Sequence, residues 1–171
     1  MSVRRLFEQD YPALVRFLYR RLGDRDQAEE LAQEAFVRLL DHGPRRPRAW
    51  LYMVAANLAR DAVRGHLRRS RRLRILRNEL DAASAPSPEQ DLLAKERAQV
   101  VRAVLDELSE RDRLLLLLRE EGLAYREVAE ILGISATSVG PLLTRAQRRF
   151  IKSYQDRERE SDVGAAASRQ G

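Results

Sequence analysis

Apolar residues return along this chain every three or four positions and almost nowhere every two, so its periodicity is that of helices. In "GDRDQAEELAQEAFVRLLDHG" (23–43) Ala28, Leu31, Ala35, Phe36 and Leu39 recur at helical spacing and predict one buried stripe. Asp24 stands ahead of it as a cap, with Gln27 three residues on in capping-box position. The opposite side is acidic, with Glu29, Glu30 and Glu34. Before this helix, "YPALVRFLYRRL" (11–22) carries a second stripe of Leu14, Phe17, Leu18 and Leu22, with Pro12 expected near the helix start or at a bend. After it, Pro44 and Pro47 end a loop and a long helix follows. There Leu51, Val54, Ala55, Leu58 and Ala62 can pack inward, while Trp50, Asn57, Asp61 and Arg64 share another face.

The pattern breaks at "ELDAASAPSPEQD" (79–91), which is small, polar and interrupted by Pro, and carries too little apolar surface to fold. Helical periodicity resumes with Leu92, Leu93, Val100, Val101, Val104, Leu105 and Leu108. "LSERDRLLLLLREEG" (108–122) gives the next helix, with Ser109 as cap, Asp112 in capping-box position and Gly122 as stop. From residue 155 onward the apolar period is lost. The expected organisation is therefore all-α. A helical domain over 1–78 and a second over 92–154 are joined by a flexible linker over 79–91, and a disordered tail fills 155–171.

Within the second domain, "AYREVAEILGISATSVG" (124–140) reads as a helix-turn-helix. Ala129 is small where two helices cross, Gly133 supplies the turn, and Ile134 and Val139 are apolar where the second helix packs on the first. Val128, Ile131 and Leu132 fill the rest of the seam. Ala124 occupies the cap position of the first helix and cannot accept a first-turn N–H bond.

Charge separates by region. The formal net charge is +6, yet eight arginines fall within 60–77 (Arg60, Arg64, Arg68, Arg69, Arg71, Arg72, Arg74 and Arg77) against Asp61 alone. Such density favours a phosphate-bearing partner over a merely solvated helix end. The acidic face of 26–40 would be repelled by DNA and calls for a protein partner. The absence of Cys excludes disulfides and thiolate chemistry. No apolar run reaches the length of a membrane span and the first residues lack a signal-peptide core, so a cytoplasmic protein without membrane insertion is expected. His42 and His66 lie in polar surroundings, and neither a phosphate-cradling glycine loop nor metal-ligand spacing is present. No enzyme, cofactor or metal is indicated.

Together these blocks resemble the small alternative sigma factors of extracytoplasmic-function (ECF) type, in the sigma-70 family, over about residues 5–154. "DQAEELAQEAFVRLL" (26–40) is similar to the segment that docks on a coiled coil of the RNA polymerase β′ subunit. "RAWLYMVAANLARDAVR" (48–64) is similar to the promoter-melting, −10-reading region. "LSERDRLLLLLREEGLAYREVAEILGIS" with "RAQRRF" (108–150) is similar to the −35-reading domain. The resemblance implies that Glu29, Glu30, Gln33 and Glu34 face core polymerase, which comprises β′ and β subunits. It implies that Asn57, Asp61 and Arg64 approach the −10 element of promoter DNA. Trp50 and Tyr52 match aromatic positions of that region, Trp50 more as a core anchor than as a base-stacking residue. It also places the loop that holds a flipped −10 base within about 66–76, where Arg68, Arg69, Arg71 and Arg72 would meet the melted strand. An anti-sigma factor joins the candidate partners.

One stretch departs from the family. Where its groove-entering helix usually carries Lys, Ser, Arg and His, this chain has Gly140, Pro141, Leu142 and Thr144. Either Ser135 caps the helix and Pro141 interrupts it, or Ser138 caps a helix that starts late at Val139. The remaining −35 readers are Ser135, Thr137, Ser138, Thr144 and Arg145, with phosphate anchoring from Arg145, Arg148 and Arg149; otherwise this face meets protein through Leu142 or Leu143. The competing readings are a stand-alone helix-turn-helix regulator and a protein-binding adaptor whose −35 recognition has decayed. The acidic helix argues against the first and the arginine run against the second.

Overall fold

The structure, a computed structural model, describes the backbone of residues 3–76 and 89–168, and the side chains of 3–66 and 96–160. The described residues form helices α1 (Val3–Leu22), α2 (Arg25–His42), α3 (Pro47–Leu76), α4 (Glu89–Glu107), α5 (Glu110–Glu120), α6 (Tyr125–Leu132) and α7 (Ala136–Ser168), with no strand among them. They belong to two compact units, Met1–Ser87 and Pro88–Gly171.

In the first unit α1, α2 and α3 pack on one another. Leu6, Leu14, Phe17 and Leu18 of α1 meet Ala28, Ala32, Ala35, Phe36 and Leu39 of α2, and Leu51, Tyr52, Ala55 and Ala59 of α3 complete the core. The small residues of α2 and α3 let the helix backbones approach. Phe17 and Tyr52 fill the centre edge to face, with ring centroids 5.6 Å apart. Leu31 and Leu22, expected inside, are half-buried, because Ala32 is the residue of α2 that turns inward beside Ala28 and Ala35. Asp24 caps α2 as its sequence predicts, its Oδ1 accepting from the Gln27 N–H at 3.0 Å. Gly43, left-handed at φ 50°, ends that helix by donating its N–H to the Leu39 carbonyl. Pro12 stands inside α1, not at its start, on the exposed side of the helix.

In the second unit α7 packs against α4, α5 and α6. Ser109 caps α5 through the Asp112 N–H. Arg113, 7% exposed, donates to the carbonyls of Leu105, Asp106 and Leu108 and to Glu110. The last carbonyls of α4 have no intrahelical donor, and a buried cation satisfies both their lone pairs and the negative end of the helix dipole. The linker expected over 79–91 lies mostly outside the described residues; within it, residues 89–91 already belong to α4. The tail expected to be disordered from residue 155 is instead helical as far as Ser168. Arg157 of this extension is paired with Glu107 of α4, and the ring of Phe150 stacks on Tyr154 at 6.1 Å. Arg, Glu and Ala sustain a helix without an apolar period, so periodicity alone understates its length.

Candidate functional site

The inward stripe of α2 fixes what its other side presents. With Ala28, Ala32, Ala35, Phe36 and Leu39 buried, the positions i, i+3, i+4 and i+7 opposite them are Glu30, Gln33, Glu34 and Val37. Glu30 and Gln33 are exposed, and Glu34 is half-buried in an ion pair with Arg38 one turn on. Glu29 separates from this group. It lies at the margin of α2, bonded to Arg25 at 2.9 Å, beside a groove of about 520 Å³ lined by Tyr11, Pro12, Val15, Arg16 and Tyr19. Charge was the signal legible in the sequence, and it missed two apolar members of the surface. Val37 is 56% exposed and Leu40 64% exposed, whereas the other leucines described in this unit are buried or half-buried. A face carrying both carboxylates and aliphatic carbon suits a protein groove that is basic at its rim and apolar at its floor.

On α3, Asn57, Asp61 and Arg64 are exposed at offsets 0, 4 and 7, so the structure brings them to one face. Asn57 Oδ1 accepts from Arg60 at 2.8 Å, which turns the amide toward the arginine run. Tyr52 is not on this surface. It is fully buried under Phe17, with the Arg48 guanidinium 5.9 Å from its ring, and cannot stack on a base. Arg48 in turn bonds Asp10 of α1 at 2.7 Å, an ion pair that holds α3 to α1. Trp50 is half-buried, its ring 5.4 Å from that of His42 at the end of α2, as an anchor would be. His66 contacts Gln27 at 3.0 Å. The loop expected within 66–76 is absent: α3 runs unbroken through Leu76 and carries the backbone of Arg68, Arg69, Arg71 and Arg72 as helix. The physical reason lies in composition, since beyond Gly65 this segment holds no Gly or Pro to stop a helix and is mostly Arg and Leu, both good helix formers. Their side chains lie outside the described residues.

The helix-turn-helix is formed by α6 and α7. Gly133 takes φ 65°, and the N–H of Ile134 bonds the Ala129 carbonyl at 3.0 Å, closing α6 before α7 begins. Ala124 makes no side-chain cap, but its own N–H donates to Glu127 Oε2 at 2.8 Å, so half of a capping box survives. Ser135 caps α7, its Oγ accepting from the Ser138 N–H at 3.3 Å; the late start at Val139 does not occur. Pro141 therefore sits inside a continuous helix, opposite the buried Val139, Leu143 and Ala146. Leu143 is buried and Leu142 half-buried, so neither offers the exposed apolar contact that a protein-binding face would need. Thr137, Thr144, Arg145 and Arg148 are exposed, and Ser138 is half-buried. Arg149 departs from its expected role. Its guanidinium is paired with Asp112 of α5, whose side chain is 2% exposed and is also approached by Arg111 at 3.3 Å. The pair ties α7 to α5, and one reader assigned to phosphate is held by a buried carboxylate instead.

Two family profiles match these units. Sigma-70 region 2 matches residues 6–72 and Sigma-70, region 4 matches residues 98–150. RNA polymerase sigma factor YlaC of Bacillus subtilis is 32% identical over 94% of this chain and 96% of its own length. The ECF RNA polymerase sigma factor SigE of Mycolicibacterium smegmatis is 31% identical over 85% of this chain, which spans 58% of that longer protein. Among solved structures, the sigma factor RpoE of Bartonella quintana, in complex with the anti-sigma factor NepR, has the same fold, with a TM-score of 0.57 at 21% identity over 89% of this chain and 96% of that one. An all-α chain with region 2 in its first unit and a helix-turn-helix region 4 in its second, matched nearly end to end by a sigma factor, belongs to the sigma-70 family of RNA polymerase sigma factors, in its ECF group.

Proposed function

We propose that this alternative sigma factor, which directs promoter recognition and transcription initiation, divides the work among three surfaces. The outward face of α2, with Glu30, Gln33, Glu34, Val37 and Leu40, docks on the β′ subunit of core polymerase, with Glu29 at its edge. Asn57, Asp61 and Arg64 of α3 read the −10 element, and Arg68, Arg69, Arg71 and Arg72 follow the melted strand. The first turns of α7 enter the −35 groove, with Arg145 and Arg148 on phosphates.

The observation that carries this reading is the opposition of charge within one three-helix unit. Acid with exposed aliphatic carbon lies on α2, and amide, carboxylate and arginine lie on α3. No covalent step is needed. Duplex opens when unstacked bases are trapped, and flipping a base costs a few kcal/mol that pocket contacts and phosphate neutralisation can offset. A carboxylate face would oppose that task, which is why it belongs to the protein partner. A cytoplasmic location follows from a polymerase partner. An anti-sigma factor of the kind bound to RpoE would compete for the same surfaces.

The test is a double dissociation. Glu30→Lys with Glu34→Lys weakens binding to core polymerase and leaves the affinity of assembled holoenzyme for fork-junction DNA intact once saturating sigma is supplied. Replacing Arg68, Arg69, Arg71 and Arg72 with Gln does the reverse, and lowers the salt slope of fork-junction binding. Folded variants that lose both activities together, or neither, contradict the division.

A further inference from the structure

We infer that α7 reads its element through thymine methyl groups and not through hydrogen bonds to guanine; the inference rests on the reading of the second unit as the −35 domain. Burial of Val139, Leu143 and Ala146 fixes the inward side of α7, which places Thr137, Pro141, Thr144, Arg145 and Arg148 on the outward side at offsets 0, 4, 7, 8 and 11. All five are exposed. In a helix-turn-helix the N-terminal residues of the second helix contact base edges. In those first turns this helix has little left to donate. Ser135 Oγ accepts the Ser138 N–H and lies 3.1 Å from Thr137 Oγ1 and 2.6 Å from Ser138 Oγ, so two of the three hydroxyl protons stay within the cap. Thr144 donates its hydroxyl proton to the Gly140 carbonyl at 3.1 Å, which leaves it an acceptor only. Gly140 has no side chain, and Pro141 has neither a side-chain donor nor an N–H.

Guanine presents two acceptors, N7 and O6, to the major groove and is read by donors, whereas thymine presents a methyl group that apolar atoms cover. What the outward side offers there is carbon: Pro141 has Thr137 one turn before it and Thr144 one turn after it on the same exposed side, and each threonine carries a methyl group beside its engaged hydroxyl. The guanidinium groups begin only at Arg145, whose Nε is turned back to the Pro141 carbonyl at 3.4 Å, and continue at Arg148. Charge therefore follows the base-reading turns, where it suits the phosphates that border the groove. The substitution of Gly and Pro for the usual polar readers changes which base is recognised and does not abolish recognition.

The experiment uses holoenzyme assembled from core polymerase and the full chain to select promoters with a randomised −35 region. In the selected duplex each thymine is then replaced by deoxyuridine, which lacks only the C5 methyl, and each guanine by 7-deazaguanine. Deoxyuridine at one or two positions is expected to weaken binding about fourfold each, the equivalent of about 0.8 kcal/mol for one buried methyl-sized group, and 7-deazaguanine to have no effect. Thr137→Ser and Thr144→Ser, which remove a methyl and keep the hydroxyl, are expected to erase that sensitivity at their own positions with core binding unchanged. An enriched −35 element indifferent to deoxyuridine, or dependent on guanine N7, overturns the inference and leaves the −35 reading standing. A selection that enriches nothing in that region overturns the −35 reading and the inference with it.

Discussion

Arg148 and Arg149 are neighbours in sequence, and the structure gives them different work. Arg149→Gln removes the cation from Asp112, whose side chain is 2% exposed. Breaking a fully buried ion pair costs about 3–5 kcal/mol, and breaking an exposed one about 0–1 kcal/mol. The Arg149 side chain is 57% exposed, and Arg111 remains 3.3 Å from the carboxylate, so the cost falls between these limits, at about 1.5 kcal/mol. For a domain of this size that lowers Tm by about 6–12 °C. Trp50 is the sole tryptophan and belongs to the first unit, while far-UV circular dichroism reports every helix. In Arg149→Gln the dichroism transition shifts down and the Trp50 fluorescence transition stays in place. Arg148→Gln moves neither, but weakens holoenzyme binding to promoter DNA and lowers its salt slope by about 1. An Arg149→Gln protein of unchanged stability whose salt slope falls like that of Arg148→Gln would refute the assignment and return Arg149 to the DNA surface.

Other consequences are equally open to measurement. Val37→Ser with Leu40→Ser leaves the unfolding free energy from urea titration within about 0.5 kcal/mol of the parent, as expected of exposed positions, yet weakens core-polymerase binding in a pull-down; unaltered affinity removes these residues from the docking face. Asp10→Ala removes a carboxylate that is 8% exposed from Arg48 and costs about 3 kcal/mol, the low end for a buried pair because Arg48 keeps 28% exposure; a Trp50 fluorescence transition that does not move would contradict it. Pro141→Ala returns an N–H to the Thr137 carbonyl and stabilises the second unit by about 2 kcal/mol, from about 3 for an interior proline less about 0.4–1 for the freer unfolded chain; no gain in the dichroism transition would mean that α7 is already broken there.

The helices themselves were legible because burial imposes a period on the sequence. Leu14, Phe17, Leu18, Ala28, Ala35 and Leu39 are core residues as the stripe requires, and Asp24 and Ser109 cap where their chemistry fits. Where tertiary packing decides, the pattern is silent. Tyr52 looks like a surface aromatic in a motif and is central core, where small residues of α2 and α3 are buried with it and its ring packs edge to face on Phe17. Arg113 and Arg149 look like members of a basic surface. One is a plug for the α4 carbonyls and the other a counter-ion for Asp112, partners that lie 8 and 37 residues away. Val37 and Leu40 were hidden for the opposite reason, since aliphatic residues in an amphipathic helix are read as core unless the phase is known. Helix ends were the hardest to place. α7 continues past the last apolar repeat because arginine, glutamate and alanine propagate a helix without needing to be buried.

The central claim, that this chain programmes polymerase through its two units acting together, is tested most directly by transcription in vitro on fragmented genomic DNA, with core RNA polymerase alone or supplemented by the full chain, and with 5′ ends mapped. The account predicts a small set of new start sites, found only with the chain, sharing a −10 element and a thymine-containing −35 element, and lost in the Glu30→Lys, Glu34→Lys variant. Start sites unchanged by addition of the chain, although it binds the same DNA on its own, would contradict the account and make it a stand-alone DNA-binding regulator.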